Sequence, residues 1–393
     1  MKVDFSLSCK RENTNAEKYV LRNRLFGTEN LIPMWVADMD IDTPSFILEA
    51  VQKRLQHPNF GYEEMPSSAF VAQIEWLKRH HSVTFLQEEL LYSHSVVASI
   101  NAAIEAYSTE GDKIIVQTPV YPPFFKSVTH HNRKVLFNPL KKSEHGDYTF
   151  DIDDLVSKID KDTKLLLLCS PHNPVGRVWK KEELKALGDV CLAHNIVVFS
   201  DEIHSDLVYE PHIHIPFSSL SDEVANITVS AYGVGKTFNL AGFAISTVAI
   251  TNEILREKYK KVYNEIHFAQ GTILGHVAFE TAYMYGDSWL EVLKIHLKKN
   301  IVLLEDVCKK HNDKISFIAP EGTYLAWLDC SKMSLSDKEL KEFFVKNAKL
   351  GLSNGVSFSK EGSAYMRLNF AVSSEIMEQA MQQLDFALER FQR

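Results

Sequence analysis

Cysteine is scarce and dispersed in this sequence: Cys9, Cys169, Cys191, Cys308 and Cys330 are the five among 393 residues. An odd count with no Cys-x-x-Cys pair excludes a disulfide framework or a cysteine zinc site as the organising device. It suits reduced, buried thiols in a cytoplasm. Long apolar runs are missing too. No stretch reaches the roughly 18 residues that read as a bilayer span, and the opening from Met1 to Arg11 holds no apolar block of signal-peptide length. Positive charge is in deficit, with 43 Lys and Arg against 51 Asp and Glu and a net charge of −8. That balance argues against a nucleic-acid partner, whose phosphates need a basic surface. No basic run is long enough to dock on an anionic membrane. Without repeats, low-complexity tracts or Gly/Ser linkers, domain boundaries must be read from changes of pattern.

What is present looks globular: 45% hydrophobic and 24% charged residues, in a length that suits two domains. Between about residues 110 and 250, short apolar runs alternate with amphipathic stretches. Ile114 to Val116, Leu165 to Leu168, Ile196 to Phe199, Ile227 to Val229 and Ile245 to Ile250 read as buried strands. Leu184, Leu187 and Cys191 recur on one helical face between the second and third. This alternation predicts an α/β layer around a mostly parallel sheet. After about residue 285 the texture becomes α+β: a helix from Trp289 to about Lys310, strands at Thr323–Leu328 and Tyr365–Phe370, and a last helix from Ser374 to about Phe391. The expected division is an N-terminal segment over 1–45 that wraps against a smaller domain, a large α/β domain over 46–285, and that smaller domain over 286–393.

Three polar residues fall at the ends of predicted parallel strands: Asn173 in Ser170-Pro171-His172-Asn173-Pro174-Val175-Gly176, Asp201 after Phe199-Ser200, and Lys236 a short loop beyond Ser230. Ligands of open parallel sheets bind outside the carboxyl ends of the strands, so all three should face one crevice. Singly they read as a turn former, a strand-end cap and a surface charge. Jointly, in this order, they match the needs of pyridoxal 5′-phosphate (PLP). A lysine amine forms a Schiff base with its aldehyde, an aspartate keeps the pyridine nitrogen protonated, and an asparagine meets its phenolic oxygen.

Those segments, with Asp201-Glu202-Ile203-His204 and Lys236-Thr237-Phe238-Asn239-Leu240-Ala241-Gly242, resemble the fold-type I PLP enzymes of the class I/II aminotransferase superfamily. Within it the chain is most similar to the cystathionine β-lyase-like C–S lyases of MalY/PatB type. Pro33-Met34-Trp35-Val36-Ala37-Asp38-Met39-Asp40, Phe60-Gly61-Tyr62, Thr118-Pro119-Val120-Tyr121, Thr323 to Asp329 and Arg367-Leu368-Asn369 extend the likeness from about residue 10 to the end.

The resemblance implies a large PLP-binding domain with a smaller α+β domain, a homodimer, and cleavage of cystathionine or another S-substituted cysteine to a thiol, pyruvate and ammonia. It implies Lys236 as the PLP lysine and the base at Cα, Asp201 at the pyridine nitrogen, Asn173 at the phenolic oxygen and Tyr121 stacked on the ring. Val96 and Val97, opening a helix at Ser95, would offer N–H groups to the phosphate, and Tyr62 would reach that phosphate across the dimer interface. Arg367 would grip the substrate carboxylate, with Asp38 and Tyr121 beside it. His204 stands where many aminotransferases carry a tyrosine. An aminotransferase would share every cofactor residue, and a non-catalytic PLP-fold regulator is the rival of another class.

One departure concerns the phosphate. Relatives usually carry a hydroxyl residue just before the lysine, whereas this chain reads Gly233-Val234-Gly235-Lys236. Either the amides, Tyr62 and Ser230 compensate or the cofactor is held less tightly. The same run mimics the end of a phosphate-binding P-loop, but Ser230 stands where that pattern requires glycine. His212-Ile213-His214 hints at a metal. Without a nearby carboxylate or third ligand it reads as a solvated loop, and no metal is expected.

Overall fold

The computed structural model describes residues 4–7, 9–144, 146–266 and 271–392. Its first strand, β1 (Ile32–Pro33), lies in the N-terminal segment. Seven strands then form one sheet: β2 (Leu90–Ser93), β3 (Lys113–Val116), β4 (Lys134–Phe137), β5 (Thr163–Cys169), β6 (Val197–Asp201), β7 (Thr228–Tyr232) and β8 (Ser246–Ala249). Their spatial order is β2-β8-β7-β6-β5-β3-β4. Pairings among β3 to β7 are parallel, and β8 runs antiparallel to both of its neighbours.

The central strands are apolar without interruption because both faces are covered. Along β5, Leu165 and Leu167 pack with Ile100, Ile104 and Phe124 on one face. Leu166 and Leu168 pack with Leu184, Leu187 and Cys191 on the other. The covering helices include α1 (Val96–Tyr107) and α2 (Lys181–Ala193), the latter supplying the stripe read from the sequence. The five expected strands are all present. Strands β2 and β4, at the two sheet edges, were not foreseen: β4 is half exposed and opens on a lysine, so it lacks the buried-strand signature.

Chain order reverses at β3. The path goes outward to β4 and returns to build β5, β6 and β7 on the other side. A crevice opens at such a switch point, outside the carboxyl ends of the strands. Register sharpens it, because Cys169 pairs with Asp201, and Asp201 with Ala231, so three strands end nearly level.

Beyond it, the 24-residue α3 (Asp287–Lys310) leads into an antiparallel sheet in the order β9-β10-β13-β12. These are β9 (Ser316–Phe317), β10 (Leu325–Asp329), β12 (Ser353–Asn354) and β13 (Tyr365–Asn369). The strand expected from Thr323 begins only at Leu325, since Thr323 adopts φ +70°, outside the extended region. Two contacts tie the N-terminal segment to this region. Its β1 pairs in parallel with β11 (Leu350–Gly351), and Phe5 sits edge-on against Trp289 of α3.

The largest apolar core joins this N-terminal segment, α3 and the antiparallel sheet. Leu297, fully buried within it, projects from the middle of α3. Leu297→Ala should therefore lower stability by about 2–5 kcal/mol, read as an earlier urea midpoint in circular dichroism.

Candidate active site

The crevice is a cleft of about 450 Å³. Each central strand delivers one polar group to it. Tyr121 follows β3, Asn173 follows β5, Asp201 ends β6, and Lys236 lies on the helical turn Val234–Thr237 after β7. Arg367 arrives from β13 of the other sheet, and His204 from the turn after β6. Val96 and Val97 line it at the N-terminus of α1, where Ser95 caps the helix by accepting from Ala98 N at 3.2 Å. The unsatisfied N–H groups of that first turn make an anion site.

Burial sets the electrostatics. The Asp201 carboxyl is pushed up to about 7, chiefly because it is desolvated, with Ile203 N (3.1 Å) and nearby Lys236 pulling the other way. Lys236 is lowered to about 8, by burial first and by the Arg367 charge second. Burial likewise brings Arg367 down to about 10 and holds the His204 imidazole neutral. The His204 Nδ1 is buried without a hydrogen-bond partner among the described residues. A carboxylate, an amine and a guanidinium sequestered together, yet without direct ion pairs to one another, leave each head group available to a ligand.

Substitute contacts hold these groups in place. Lys236 Nζ donates to Ala37 O at 2.6 Å, and Tyr324 OH donates to the same carbonyl at 2.8 Å. Arg367 donates to Trp35 O (2.6 Å) and to Asn173 Oδ1 (3.1 Å), with its guanidinium over the Phe358 ring. Asn369 donates to Val36 O and Asp38 O, and Asn239 to Met39 O and Ile41 O. The segment from Trp35 to Ile41 is thus a strap whose carbonyls are captured by side chains from both sheets' surroundings. Nothing in the spacing of Trp35-Val36-Ala37 announces that role, because carbonyls leave no mark on sequence.

Three expected site residues lie elsewhere. Asp38 does not line the cleft: its carboxylate is taken by Arg11 (2.7 Å) and the fully buried Lys18 (2.8 Å). Ser230 is buried inside β7, short of the strand end, and also stays out of the cleft. Ser246 lines it instead, because an antiparallel strand begins at the edge where its parallel neighbours finish. Tyr62 is 96% exposed and stands over a separate hollow beside Phe243 and Thr272. The expected solvated His212-His214 loop is only half so. His214 is buried and bonds Glu202 Oε2 at 2.9 Å, a carboxylate that lies twelve residues away in sequence and only the fold brings near. His94, Cys169 and Glu17 also line the cleft unforeseen, carrying no motif of their own.

The class that this fold and site define is fold type I. The chain belongs to the aminotransferase class I and II family, which it matches over residues 29–384. Among characterised relatives it is similar to cystathionine beta-lyase PatB of Bacillus subtilis, with 36% identity over 98% of this chain and 100% of that protein. Among solved structures it resembles cystalysin from Treponema denticola, which contains a pyridoxal 5′-phosphate cofactor. That match has a TM-score of 0.96 and 31% identity over 99% of each chain. The PLP-bound C–S lyase from Staphylococcus hominis is 33% identical, with a TM-score of 0.90 over 99% of this chain and 98% of that one.

Behind Lys236, its neighbour Thr237 donates to Asp206 Oδ2 at 2.7 Å, while Trp76 Nε1 (2.9 Å) and His81 Nε2 (2.8 Å) meet Oδ1. Burial alone would raise this carboxyl, but those partners bring it down to about 2. A depressed carboxyl stabilises the fold fully above its unfolded value near 4, and loses that contribution as pH falls toward about 2. Asp206→Ala should cost about 3–5 kcal/mol at neutral pH. The variant's thermal midpoint should also fall less than the parent's between pH 4 and pH 2 (roughly the span between the two values).

Proposed function

We propose that this protein is a PLP-dependent C–S β-lyase that cleaves S-substituted cysteines, cystathionine among them, to a thiol, pyruvate and ammonia. The observation that carries the reading is one buried cleft presenting Lys236, Asp201 and Arg367 with their head groups turned to the same space. The donor set fits PLP. A buried carboxyl raised to about 7 asks for a cationic N–H such as the pyridine nitrogen's, and the α1 N-terminus with Ser95 suits the phosphate. Lys236 would hold the aldehyde carbon, Asn173 the phenolic oxygen, and Tyr121 the ring face. His204 would pack beside the ring as a neutral imidazole.

PLP supplies an electron sink that takes up the pair from the Cα–H bond and lets the Cβ–S bond break. The chain does the rest. Arg367 binds the α-carboxylate and orients the Cα proton toward Lys236, whose lowered pKa leaves a usable fraction of free amine near neutral pH. The strap residues Trp35 to Ala37 form part of the cleft wall beside Lys236. Overall, R–S–CH2–CH(NH3⁺)–COO⁻ and water give R–SH, pyruvate and ammonium. We read residues 46–285, which hold the seven-stranded sheet, as the cofactor domain, 286–393 as the smaller domain, and 1–45 as the segment that packs with the smaller domain. A homodimer would carry Tyr62 from one protomer to its partner's phosphate end, which gives a purpose to its exposure. A cytoplasmic setting accords with five cysteines that form no disulfide.

Holoenzyme mixed with cystathionine should release pyruvate and free thiol, and Lys236→Ala should remove at least about a thousandfold of that rate. Keto-acid-dependent amino transfer without pyruvate would reject the lyase reading. Uptake of PLP by cofactor-free protein should quicken as pH rises through about 8, where the Lys236 amine loses its proton. Gly235 has room for a side chain, its nearest neighbour being Ala241 Cα at 3.5 Å, whereas a Cβ at Gly233 would press on Ile203 at 3.0 Å and Ser246 at 3.1 Å. Gly235→Ser should therefore restore a hydroxyl beside the phosphate and lower the PLP dissociation constant, by about tenfold to a hundredfold for one added hydrogen bond to a charged group. An unchanged constant would mean that Ser246 and the helix amides already suffice.

A further inference from the structure

Once the cofactor and the α-carboxylate have taken Asp201, Lys236 and Arg367, one ionised side chain of the cleft is left without a task among the described residues. It is Glu17, at the start of the short helix Glu17–Val20 in the N-terminal segment. Its position is exposed, at the solvent side of the cleft, and its carboxylate makes no hydrogen bond or salt bridge among the described residues. It is near enough to Tyr121 for its negative charge to act on that phenol. The two histidines of the lining, His94 and His204, are held toward the neutral form by burial. The rim of the cleft at Glu17 therefore presents a negative charge, and beyond Lys236 and Arg367 no further cation lines the cleft among the described residues.

We propose that Glu17 selects substrates by the charge of the departing thiol: S-substituted cysteines whose thiol fragment bears an ammonium group are favoured over those bearing a carboxylate. The inference rests on the C–S lyase reading and names its substrate class. Bond changes are those already given, and only the fragment R differs. In cystathionine R carries both charges, and its ammonium is the end that Glu17 attracts. A dicarboxylic amino acid would set its distal carboxylate against the same residue, which disfavours the substrates of an acidic-amino-acid aminotransferase. Charges at the rim of a site, partly in solvent, act weakly and mainly as discriminators.

The test compares S-(2-aminoethyl)-L-cysteine with S-carboxymethyl-L-cysteine, using neutral S-ethyl-L-cysteine as the reference, in pyruvate release by the holoenzyme. The parent enzyme should prefer the aminoethyl substrate in kcat/KM. The ratio of the two should shrink about threefold in Glu17→Gln and about tenfold in Glu17→Lys. Calorimetric binding of the same two ligands to PLP-loaded Lys236→Ala protein, with and without Glu17→Lys, should show the same change of order without turnover. A parent that prefers the carboxymethyl substrate, or ratios that stay within about twofold in both variants and both assays, overturns the inference. Pyruvate from S-ethyl-L-cysteine under those conditions would leave the lyase reading standing. No pyruvate from any of the three defeats the lyase reading, and the binding order then judges Glu17 by itself.

Discussion

The carbonyl of Ala37 receives the Lys236 ammonium at 2.6 Å in a part-buried contact within the cleft. Much of the molecule is arranged so that this contact can exist. A buried amine without a partner would be costly, and a permanent carboxylate partner would hold its proton too firmly for it to act as a base. A single carbonyl dipole lies between these extremes. It satisfies the amine while burial and the neighbouring Arg367 charge keep its pKa near 8. The same carbonyl is shared with Tyr324, and the strap that bears it is pinned at Val36, Asp38, Met39 and Ile41 by Asn369 and Asn239. Two asparagines from distant parts of the chain therefore fix the height of one oxygen above one amine.

The strap also explains why the N-terminal segment carries so many charges. Arg11 and Lys18 bind Asp38 and Asp40 in a four-membered cluster, with Lys18 and Asp40 buried. Each buried charge of this cluster has an opposite neighbour, which offsets the cost of its burial. The family resemblance implies Asp38 as a substrate contact, whereas it is Trp35, Val36 and Ala37 that line the cleft. The Asp38 side chain turns the other way and anchors the strap. The site thus depends on two layers, the cleft-facing backbone of the strap and the ion cluster behind it. A similar backing stands under the lysine turn, where Asp206 ties Thr237 to Trp76 and His81.

Much of the sheet was legible in the sequence, because strands buried on both faces must be apolar throughout and few other elements produce such runs. The edge strand Lys134–Phe137 escaped for the converse reason: solvent reaches it and relaxes its composition. Asn173, Asp201 and Lys236 were legible because each follows an apolar run by a short, countable distance. Ser230 and Ser246 were exchanged because the direction of the strand Ser246–Ala249 decides which of its ends meets the cleft, and periodicity is blind to direction.

By itself the sequence determined the α/β class, the order of the strands along the chain and the residue types at their ends, since hydrophobic burial imposes a period that any reader can count. Only the tertiary structure decided which groups meet. Ala37 and Lys236 are 199 positions apart and Asn173 and Arg367 are 194 apart, and closing loops of that length leaves no local signal. The shifted ionisation of Asp201, Lys236 and Arg367 belongs to the fold alone as well, because desolvation is a property of the surroundings and not of the residue.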